Sequence, residues 1–584
     1  MSSLSPGHVL QPARWTNKTR EGAVSAGDLR CDDDVISGLA GESVRLDGIF
    51  GAFFDGYWAR YTGIEDLALR FSLTGCIEIE IERMDSRTGR TEPVVRAVYR
   101  ENDAPVVIPV PLTDGGETRL SLSVRLISDS SLSGMAWTTS TPPLRSVRLT
   151  GVICTFNRDA DVAATVSELL GHDSGLHRLL VVNQGVPGLI GRIGHSASEI
   201  LTIIDQANLG GAGGFGRGML EALSDDECSH ILVMDDDIDL DARIVSRVIP
   251  VLSYLRSDHV LGGAMLDRSR RTRIFSVGDV LHHSRPEIRN LVEIGADDIT
   301  SDATSRYLAR HHQPDFNGWW FCCLPKAQVE NVGLPLPLFI RGDDVEYGFR
   351  LTSSGTKTLA WPGLAVWHEP FHNKRHPWHY FYDRRNSLFL CEMHRRFGRF
   401  RLCGFLITGF INHVLRFDYD RANCIALGLR AFNDGAEGLK RWNGSDHARL
   451  VADFSSGERP AEPGCAGEAF AESAVPKPFL LASRLVHDLA AGAPGPGRPV
   501  TVAARHWRPA ISRRPTHVRI LYEDSGTVAE FRHDPARTRA CAKLFSIEMM
   551  RFLRRRWRPD QLRTLCKRDF WMSYTSGFMD SWRS

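Results

Sequence analysis

The chain has 584 residues, of which 42% are hydrophobic and 24% are charged, a composition typical of globular proteins with several domains. Lys and Arg number 71 and Asp and Glu number 70, so the formal net charge is +1. This near balance argues against a protein that coats nucleic acid, which needs clustered, excess Lys and Arg. The cysteines form no CxxC pair, no signal peptide follows Met1, and no apolar stretch reaches the roughly 18–20 residues of a membrane span. We therefore expect a reduced, cytoplasmic protein without nucleic-acid partners.

The residue pattern of the N-terminal quarter is typical of β-strands. Residues 1–40 are rich in Ser, Gly and Asp, and we expect this segment to be only partly ordered. From 41 to 145 apolar and polar residues alternate, most clearly over 120–126. A period of two places one face of a strand in a core and the other in water. The pattern predicts a β-sandwich, jelly-roll-like, over residues 41–145.

Residues 146–386 alternate between short buried strands and helices. Mostly apolar runs that end in polar loops lie at 147–155, 179–182, 200–204 and 231–234, and helical patterns separate them. This order predicts a parallel sheet in an α/β domain, with the chemistry in the loops that follow the strands. Residues 387–584 are mostly helical in pattern, and we expect a helical C-terminal domain there.

Three consecutive acidic residues, Asp235-Asp236-Asp237, directly follow the buried run at 231–234. The first and third carboxylates of such a motif lie on the same side of an extended turn and can share one divalent cation. Carboxylate oxygens suit Mg²⁺ or Mn²⁺ bound together with substrate phosphates. A solvated acidic loop or a helix N-cap is the alternative for an isolated triplet, but the buried strand before it favours a metal site.

A glycine-rich stretch at 208–218 begins with Asn208. We predict a loop that opens a helix and lets the backbone approach a diphosphate or a sugar. Its spacing and its place after the third strand differ from a dinucleotide-binding fingerprint. Taken alone, it is a weak signal.

Three further motifs that could belong to an active site follow the acidic triplet along the chain. Trp319-Trp320 can form a stacking floor for a sugar, although core packing is the alternative for such a pair. Asp343-Asp344 precedes a helical pattern, where a carboxylate is either an N-cap or a general base. His368 ends another apolar run and can supply an imidazole ligand to a metal.

Together these motifs resemble inverting glycosyltransferases of family 2, which have the Rossmann-like α/β fold called GT-A. More narrowly, the chain resembles the polymerising galactofuranosyltransferases that build mycobacterial cell-wall galactan. The resemblance covers nearly the whole chain and rests on these segments: 57–62, 154–158, 183–185, Asn208 and its glycines, 234–237, 317–320, 339–344 and 367–368.

The resemblance implies roles for the acidic motifs and the histidine. Asp235 and Asp237 would hold Mn²⁺ or Mg²⁺ with His368. Asp344 would be the general base, with Asp343 beside it. The expected activity is transfer of galactofuranose, with inversion, from UDP-galactofuranose to a hydroxyl of a glycan acceptor in cell-envelope polysaccharide synthesis.

The resemblance also implies the substrate contacts. Donor contacts would come from Asp235 and from these four residues: Arg158, Gln184, Asn208 and Arg341. Trp319, Trp320 and Asp279 would line the sugar and acceptor site. The chain departs from the family at Arg341-Gly342, where the family has Lys-Trp, and at Asp279, where it has Glu. We expect donor chemistry to tolerate these changes better than acceptor choice.

Other functions remain open at this stage. One is a transferase of the same fold that uses another nucleotide sugar. A second is a non-catalytic glycan-binding protein, which would leave the acidic motifs and His368 without a role. A third is a metal phosphohydrolase, which would not need the tryptophan pair.

A basic, aromatic segment near the C-terminus suggests where the protein acts. Residues 551–558 contain five Arg together with Phe, Leu and Trp. Basic residues attract anionic headgroups and aromatic residues suit the membrane interface. We expect a lipid-linked acceptor and peripheral association with the inner face of the plasma membrane, the alternatives being a solvated helix face or pairing with a partner subunit. We also expect a homo-oligomer.

Overall fold

A computed structural model describes the chain at 7–32, 34–194, 198–293, 295–370, 376–455, 459–460, 500–503, 507, 516–522 and 526–577. No helix within these residues is both long and apolar enough to cross a membrane.

The N-terminal region consists of two antiparallel sheets whose buried side chains belong to one core. Its helices are α1 Arg20–Ala23 and α2 Asp55–Tyr61. Its strands are β1 His8–Pro12, β2 Val24–Gly27, β3 Arg30–Asp32, β4 Val35–Gly38, β5 Ser43–Leu46, β6 Leu67–Thr74, β7 Cys76–Asp85, β8 Thr91–Arg100, β9 Val106–Val110, β10 Thr118–Leu126 and β11 Ser130–Thr139. One sheet has the order β3-β4-β11-β6-β9, with β1 also on β11, and the other has the order β2-β5-β10-β7-β8.

The strand pattern read from the sequence is present, but it begins earlier than expected. Strands β1–β4 lie within 1–40, the segment expected to be only partly ordered, and they pair with later strands of the same two sheets. Residues 1–6 lie outside the described part of the chain. The early strands are short, and β1, β2 and β4 each pair with a partner distant in sequence, which a local pattern does not reveal.

The middle region contains an eight-stranded, mostly parallel sheet in the order β14-β13-β12-β15-β20-β16-β17, with β21 also on β16. Its strands are β12 Leu149–Thr155, β13 Leu176–Asn183, β14 Leu201–Asp205, β15 His230–Asp235, β16 Val260–Asp267, β17 Ile274–Ser276, β20 Cys322–Pro325 and β21 Thr358–His368, and a separate hairpin is formed by β18 Asp279–Leu281 and β19 Ile288–Asn290. Its helices are α3 Asp159–Gly171, α4 Leu189–Arg192, α5 Gly210–Leu223, α6 Ala242–Ser246, α7 Val248–Tyr254, α8 Asp302–Leu308, α9 Lys326–Val332 and α10 Asp343–Ser353. The predicted α/β architecture is confirmed.

The glycine-rich stretch at 210–218 is helical, which corrects the prediction of a loop. Its glycines allow α5 to pack closely on β12. A Cβ on Gly214 would lie 2.0 Å from Cys154 Sγ, and one on Gly218 would lie 2.2 Å from Val152 Cγ1. The composition that suggested a phosphate-binding loop therefore reflects close helix–sheet packing at these two positions.

The C-terminal region is helical with one addition. Its helices are α11 His379–Met393, α12 Arg399–Val414, α13 Tyr419–Asn433, α14 Gly435–Arg441, α15 Gly444–Asp453, α16 Pro535–Arg554, α17 Pro559–Thr564 and α18 Arg568–Gly577. A four-stranded sheet, not predicted from the sequence, joins β22 Arg459–Pro460, β23 Val500–Ala503, β24 His517–Tyr522 and β25 Thr527–Arg532. The alternation in β24 buries Val518 and Ile520 in the same core as the helices, so this mostly helical region also contains a small sheet.

Candidate active site

The predicted motifs meet because the parallel strands end at one edge of the sheet. Cys154 at the end of β12 lies beside Asp235 at the end of β15. Thr155, the next residue of β12, lies beside Asn183, which ends β13. The loops that continue from these strands carry the polar motifs into a common space.

Asp235, Asp237 and His368 form a cluster with the geometry of a metal site. One ligand atom from each residue lies within 4.8 Å of the other two. His368 Nε2 is 3.0 Å from Asp237 Oδ1 and 3.8 Å from Asp235 Oδ2. Two carboxylate oxygens and one imidazole nitrogen are ligands that Mn²⁺ and Mg²⁺ accept, so the donor set fits the predicted cation.

A guanidinium stands beside this cluster. Arg158 forms an ion pair with Asp237, and its Nη1 is 3.5 Å from Asp236 Oδ1. Burial by itself would raise the pKa of Asp237, but the hydrogen bond with His368 and the charge of Arg158 hold it well below its usual range. Asp236 is more deeply buried, and burial raises its pKa to about 7. The site thus favours an ionised Asp237, the form that binds a cation.

Asp343 and Asp344 occupy the first turn of α10, as the sequence predicted. Burial raises the pKa of both carboxyl groups, and the negative charge of Asp235 raises each of them further. A hydrogen bond from the backbone N–H of Val345 to Asp344 Oδ1, 2.8 Å long, works in the opposite direction. These two acids therefore hold a proton more readily than ordinary carboxylic acids, which suits groups that exchange protons.

The turn that delivers this acid pair is strained. Phe339, Arg341 and Gly342 have φ of 72°, 67° and 81°, in the left-handed region that side chains other than glycine rarely adopt. Each such non-glycine residue costs about 1–3 kcal/mol and persists only where its surroundings impose it. The strain lies immediately before the acids proposed to act in the reaction.

Residues of α11 hold the strained turn in place. Asn386 Nδ2 donates to the carbonyl oxygens of Ile340 and Arg341, at 2.9 and 2.6 Å. Arg341 Nε donates to Asp383 Oδ1 at 2.7 Å, and its Nη2 donates to Oδ2 at 3.2 Å. The Arg341 side chain, predicted to contact phosphate, is thus engaged with Asp383 in this structure.

A cavity of about 660 Å³ unites most of the predicted residues. The predicted residues that line it are Arg158, Asp235, Asp237, Asp279, Trp319, Trp320, Arg341, Asp343, Asp344 and His368. The metal cluster and the Asp343–Asp344 pair therefore face one space of the size of a small-molecule site.

Gln184 and Asn208 are not among the residues that line this cavity. The Gln184 amide donates to Gly210 O at 2.8 Å, and its Oε1 accepts from Leu209 N, also at 2.8 Å. Asn208 Oδ1 accepts from the Gly210 backbone N–H at 2.9 Å. In this structure both side chains hold the start of α5, so the predicted contact with a nucleotide stays a prediction.

Both tryptophans of the pair are buried and pack differently. Trp319 makes edge-to-face contacts with Phe215 and Tyr347, with ring centroids 5.1 and 5.8 Å apart. Trp320 Nε1 donates to Gly263 O at 2.9 Å, so its N–H is taken up by the protein. The two rings are therefore fixed walls of the cavity and leave apolar surface for a ligand.

Asp279 also faces the cavity, from the start of β18. Its Oδ2 accepts a hydrogen bond from Ser276 Oγ at 3.2 Å. Burial raises its pKa to about 7, and the charge of Asp344 adds to this effect. Of the causes that shift its pKa, only the hydrogen bond from Ser276 favours the charged form of Asp279, which lies near the Asp343–Asp344 pair.

Helix α11 supplies a further wall of the cavity that was not predicted from the sequence. Its contribution consists of His379, Asp383, Asn386, Ser387 and Leu390. Each of these residues lies three or four positions from another member of the set, so they share one helical face. Four of the five are polar, and their spacing along one face of α11 was the available signal.

Comparison with known proteins agrees with this geometry. Residues 147–386 match the family described as "Glycosyltransferase like family 2". The chain is 28% identical to the galactofuranosyltransferase GlfT2 of Mycobacterium tuberculosis over 431 residues, 68% of this chain and 65% of the relative. It is 28% identical to GlfT2 of Mycolicibacterium smegmatis over 419 residues, 67% of this chain and 64% of the relative. Each match thus spans slightly less than two thirds of the relative's length.

A solved mannosyltransferase from Pyrobaculum calidifontis, in complex with GDP-Man and Mn²⁺, shares 14% identity at a TM-score of 0.30, covering 53% of this chain and 83% of that chain. The assignment rests on the sequence matches. They confirm the family recognised from the motifs: residues 147–386 form a family 2 glycosyltransferase domain, in a chain similar to galactofuranosyltransferases.

Proposed function

We propose that this protein is a metal-dependent, inverting galactofuranosyltransferase that uses UDP-galactofuranose as donor. One observation carries the proposal: the Asp235, Asp237 and His368 cluster and the Asp343–Asp344 pair line the same cavity. A cation site and a proton acceptor facing one cavity are what direct transfer from a nucleotide sugar requires. The similarity to galactofuranosyltransferases supports the choice of sugar.

In the proposed mechanism each side chain has a separate task. Asp235, Asp237 and His368 would hold Mn²⁺ or Mg²⁺, and the bound cation would neutralise charge on the diphosphate leaving group. Asp344 takes the proton from the acceptor hydroxyl as that oxygen attacks the anomeric carbon. The bond from the anomeric carbon to the diphosphate breaks on the opposite face, so the configuration inverts without a covalent intermediate.

The remaining lining residues position the two substrates. Arg158 lies next to the metal cluster and can contact the diphosphate. Trp319 and Trp320 exclude water and offer apolar surface to the sugars. Asp279 faces the same cavity and is proposed to contact an acceptor hydroxyl.

The direct test is transfer by the purified chain. We expect UDP release from UDP-galactofuranose in the presence of Mn²⁺ and a short galactofuranosyl acceptor, and an acceptor product one or more hexose units heavier. UDP-galactopyranose and UDP-glucose serve as matched donors. Faster transfer from either would contradict the choice of sugar, and full activity in excess chelator would contradict the metal. Release of inorganic phosphate without acceptor would instead indicate a phosphohydrolase.

We further propose that the protein binds an anionic membrane surface to reach a lipid-linked acceptor. In the predicted segment, Arg555 pairs with Glu392 and cannot serve this purpose. The side chains of Leu553, Arg554 and Arg556 are exposed. Replacing Arg554 and Arg556 by Gln should weaken co-sedimentation with anionic vesicles, as should high salt. Equal partition of wild type and variant would leave these arginines as solvated surface.

A further inference from the structure

A second cavity, of about 510 Å³, adjoins the candidate active site. The two cavities share walls. Helix α11 contributes His379 and Asp383 to the first cavity and Tyr380 and Arg384 to the second. Residues 284–288, in the turn between β18 and β19, likewise divide between the two. A ligand in the second cavity would therefore lie next to a ligand in the first.

This second cavity, here called the basic pocket, carries excess positive charge. Its charged lining residues are four arginines and one carboxylate: Arg285, Arg384, Arg401, Arg416 and Glu287. Glu287 forms an ion pair with Arg285, Oε2 to Nε 2.9 Å. No other carboxylate lines the pocket among the described residues, so three of the four arginines have no acidic counterpart on its wall.

Two of these arginines are incompletely hydrogen-bonded. Arg384 Nε and Arg416 Nε are buried and have no acceptor within the described part of the chain. The carboxylate next to Arg384, that of Asp383, already accepts hydrogen bonds from Nε and Nη2 of Arg341. Buried, unpaired N–H groups on a cation are unfavourable unless a partner is supplied. An anion in the basic pocket would supply that partner.

The shape of the pocket leaves room for such an anion. Helix α12 presents Gly404 to it, and no atom lies within 4 Å of the point where a Cβ on Gly404 would stand. Phe405 supports the Arg384 guanidinium, which lies 4.3 Å from its ring centroid. Thr408 and Ser284 add hydroxyl groups to the wall. Guanidinium forks together with hydroxyl donors recognise the oxygens of phosphate well.

We propose that the basic pocket binds a phosphate or diphosphate group of the acceptor while the sugar end of the same molecule reaches the candidate active site. This inference rests on the proposed function and extends it, because it assigns the acceptor a phosphate-bearing portion. The donor diphosphate has its own place beside Asp235 and Asp237. A separate basic pocket is therefore available to a different phosphate.

The test compares two acceptors that differ only in a phosphate. The wild-type protein should show a lower KM for a galactofuranosyl acceptor that carries a diphosphate ester than for the neutral glycan. Arg384→Gln together with Arg401→Gln should raise the KM for the phosphorylated acceptor by roughly tenfold to a hundredfold, the usual worth of charged hydrogen bonds. The KM for the neutral acceptor and both kcat values should be unchanged. Arg100→Gln, an exposed arginine on β8, is the matched control.

A second variant guards against misfolding. Gly404→Leu fills the pocket from an open helical position without removing any charge, and it should reproduce the KM effect. Equal KM values for the two acceptors in wild type, or variants that lower kcat equally with both, would overturn the proposal.

A binding measurement separates this proposal from the proposed function. Inorganic diphosphate titrated calorimetrically in excess chelator, which removes metal-dependent binding near Asp235, should bind wild type and not the double variant. That result would support the basic pocket even if no donor is used. No binding to wild type would overturn it even if transfer occurs. Loss of anionic-vesicle binding in the double variant, with diphosphate binding intact, would assign the pocket to a lipid headgroup and also overturn it.

Discussion

Helix α10 carries two sets of carboxylates that the protein treats in opposite ways. Glu346, one turn into the helix, is fully buried and accepts hydrogen bonds from Arg350 at 3.1 and 2.7 Å and from His394 at 3.0 Å. Burial would raise the pKa of Glu346, but these partners lower it to about 2. Asp343 and Asp344, in the first turn, make no ion pair among the described residues. The charge of Arg341 lowers the pKa of Asp344, but burial outweighs it and raises the pKa values of both acids.

Within this one helix, Glu346 therefore has a structural role, whereas Asp343 and Asp344 are suited to proton transfer. A buried carboxylate with paired cations is fixed in one ionic state and stabilises the fold only through those partners. A buried carboxylate without them can take or release a proton near neutral pH. The first turn of α10 is the part that faces the cavity, and the next turn anchors it to α11.

The largest expected effect comes from the metal cluster across the cavity. Asp237→Ala removes one of three ligands, and we expect transfer and Mn²⁺ binding to fall below detection while the thermal unfolding midpoint stays near wild type. Calorimetric Mn²⁺ titration and a transfer assay measure both. Asp239→Ala is the matched control, because Asp239 lies two residues away and pairs with Arg271. Mn²⁺ binding equal to wild type in Asp237→Ala would remove Asp237 from the metal site.

The second-largest effect is expected from replacing Asp344, one of the two acids in the first turn of α10. Asp344→Asn preserves shape but cannot accept a proton, and we expect kcat to fall by about 10²–10⁴-fold. UDP binding should persist, and stability should not fall, because a buried like charge next to Asp343 is removed. Asp343→Asn is the companion variant. If that change abolishes transfer while Asp344→Asn does not, the base is Asp343.

Replacing Glu346 should lower the free energy of unfolding and leave the catalytic residues unchanged. Glu346→Gln leaves Arg350 buried without its counter-charge, and we expect a loss of about 3–5 kcal/mol in unfolding free energy. Glu221→Gln breaks a more exposed i,i+4 pair with Arg217, Nε to Oε1 2.8 Å, and should cost less than about 1 kcal/mol. Denaturant unfolding compares the two variants, and equal losses would refute the distinction.

The sign of the pH dependence follows from the lowered pKa of Glu346. Its contribution is fully present above the unfolded-state pKa of about 4.3 and is lost as the pH falls towards about 2. The difference between wild type and Glu346→Gln should therefore shrink in that window.

The sequence predicted those parts of the fold and site whose residues are adjacent in the chain. It did not predict the parts that depend on contacts between residues distant in sequence. The strand at 231–234 and the acids after it were found because a buried run and its polar end are adjacent in the chain. The β24 and β25 hairpin was missed because its short strands lie among helices and linker-like composition. The contact of Glu346 with His394 was missed because His394, just after α11, lies 48 residues further along the chain.

The same reasoning explains the partial success at the site. Asp343 and Asp344 stood out by type and position, whereas the role of Asn386 depends on the carbonyl oxygens of a turn about 45 residues earlier. The start of helix α5 was predicted to be a loop because glycine occurs both in flexible loops and in helices that pack closely against a sheet. Only the distance from Gly214 to Cys154 shows that close packing, rather than a flexible loop, requires it.

Asp279 gives the smallest effect and the finest test of the comparison. It is buried, and among the described residues its side chain accepts one hydrogen bond, from Ser276, and pairs with no cation. Its raised pKa, about 7, means that stability is fully present below about pH 4 and is lost as the pH rises to about 7. Asp279→Asn should therefore match wild type at pH 5 far more closely than at pH 8, where the variant should be more stable by roughly 1–3 kcal/mol. Thermal unfolding at the two pH values measures this, with Glu346→Gln as the reference of opposite sign. A variant that is less stable than wild type at pH 8 would place Asp279 with Glu346, among the carboxylates that the fold keeps charged.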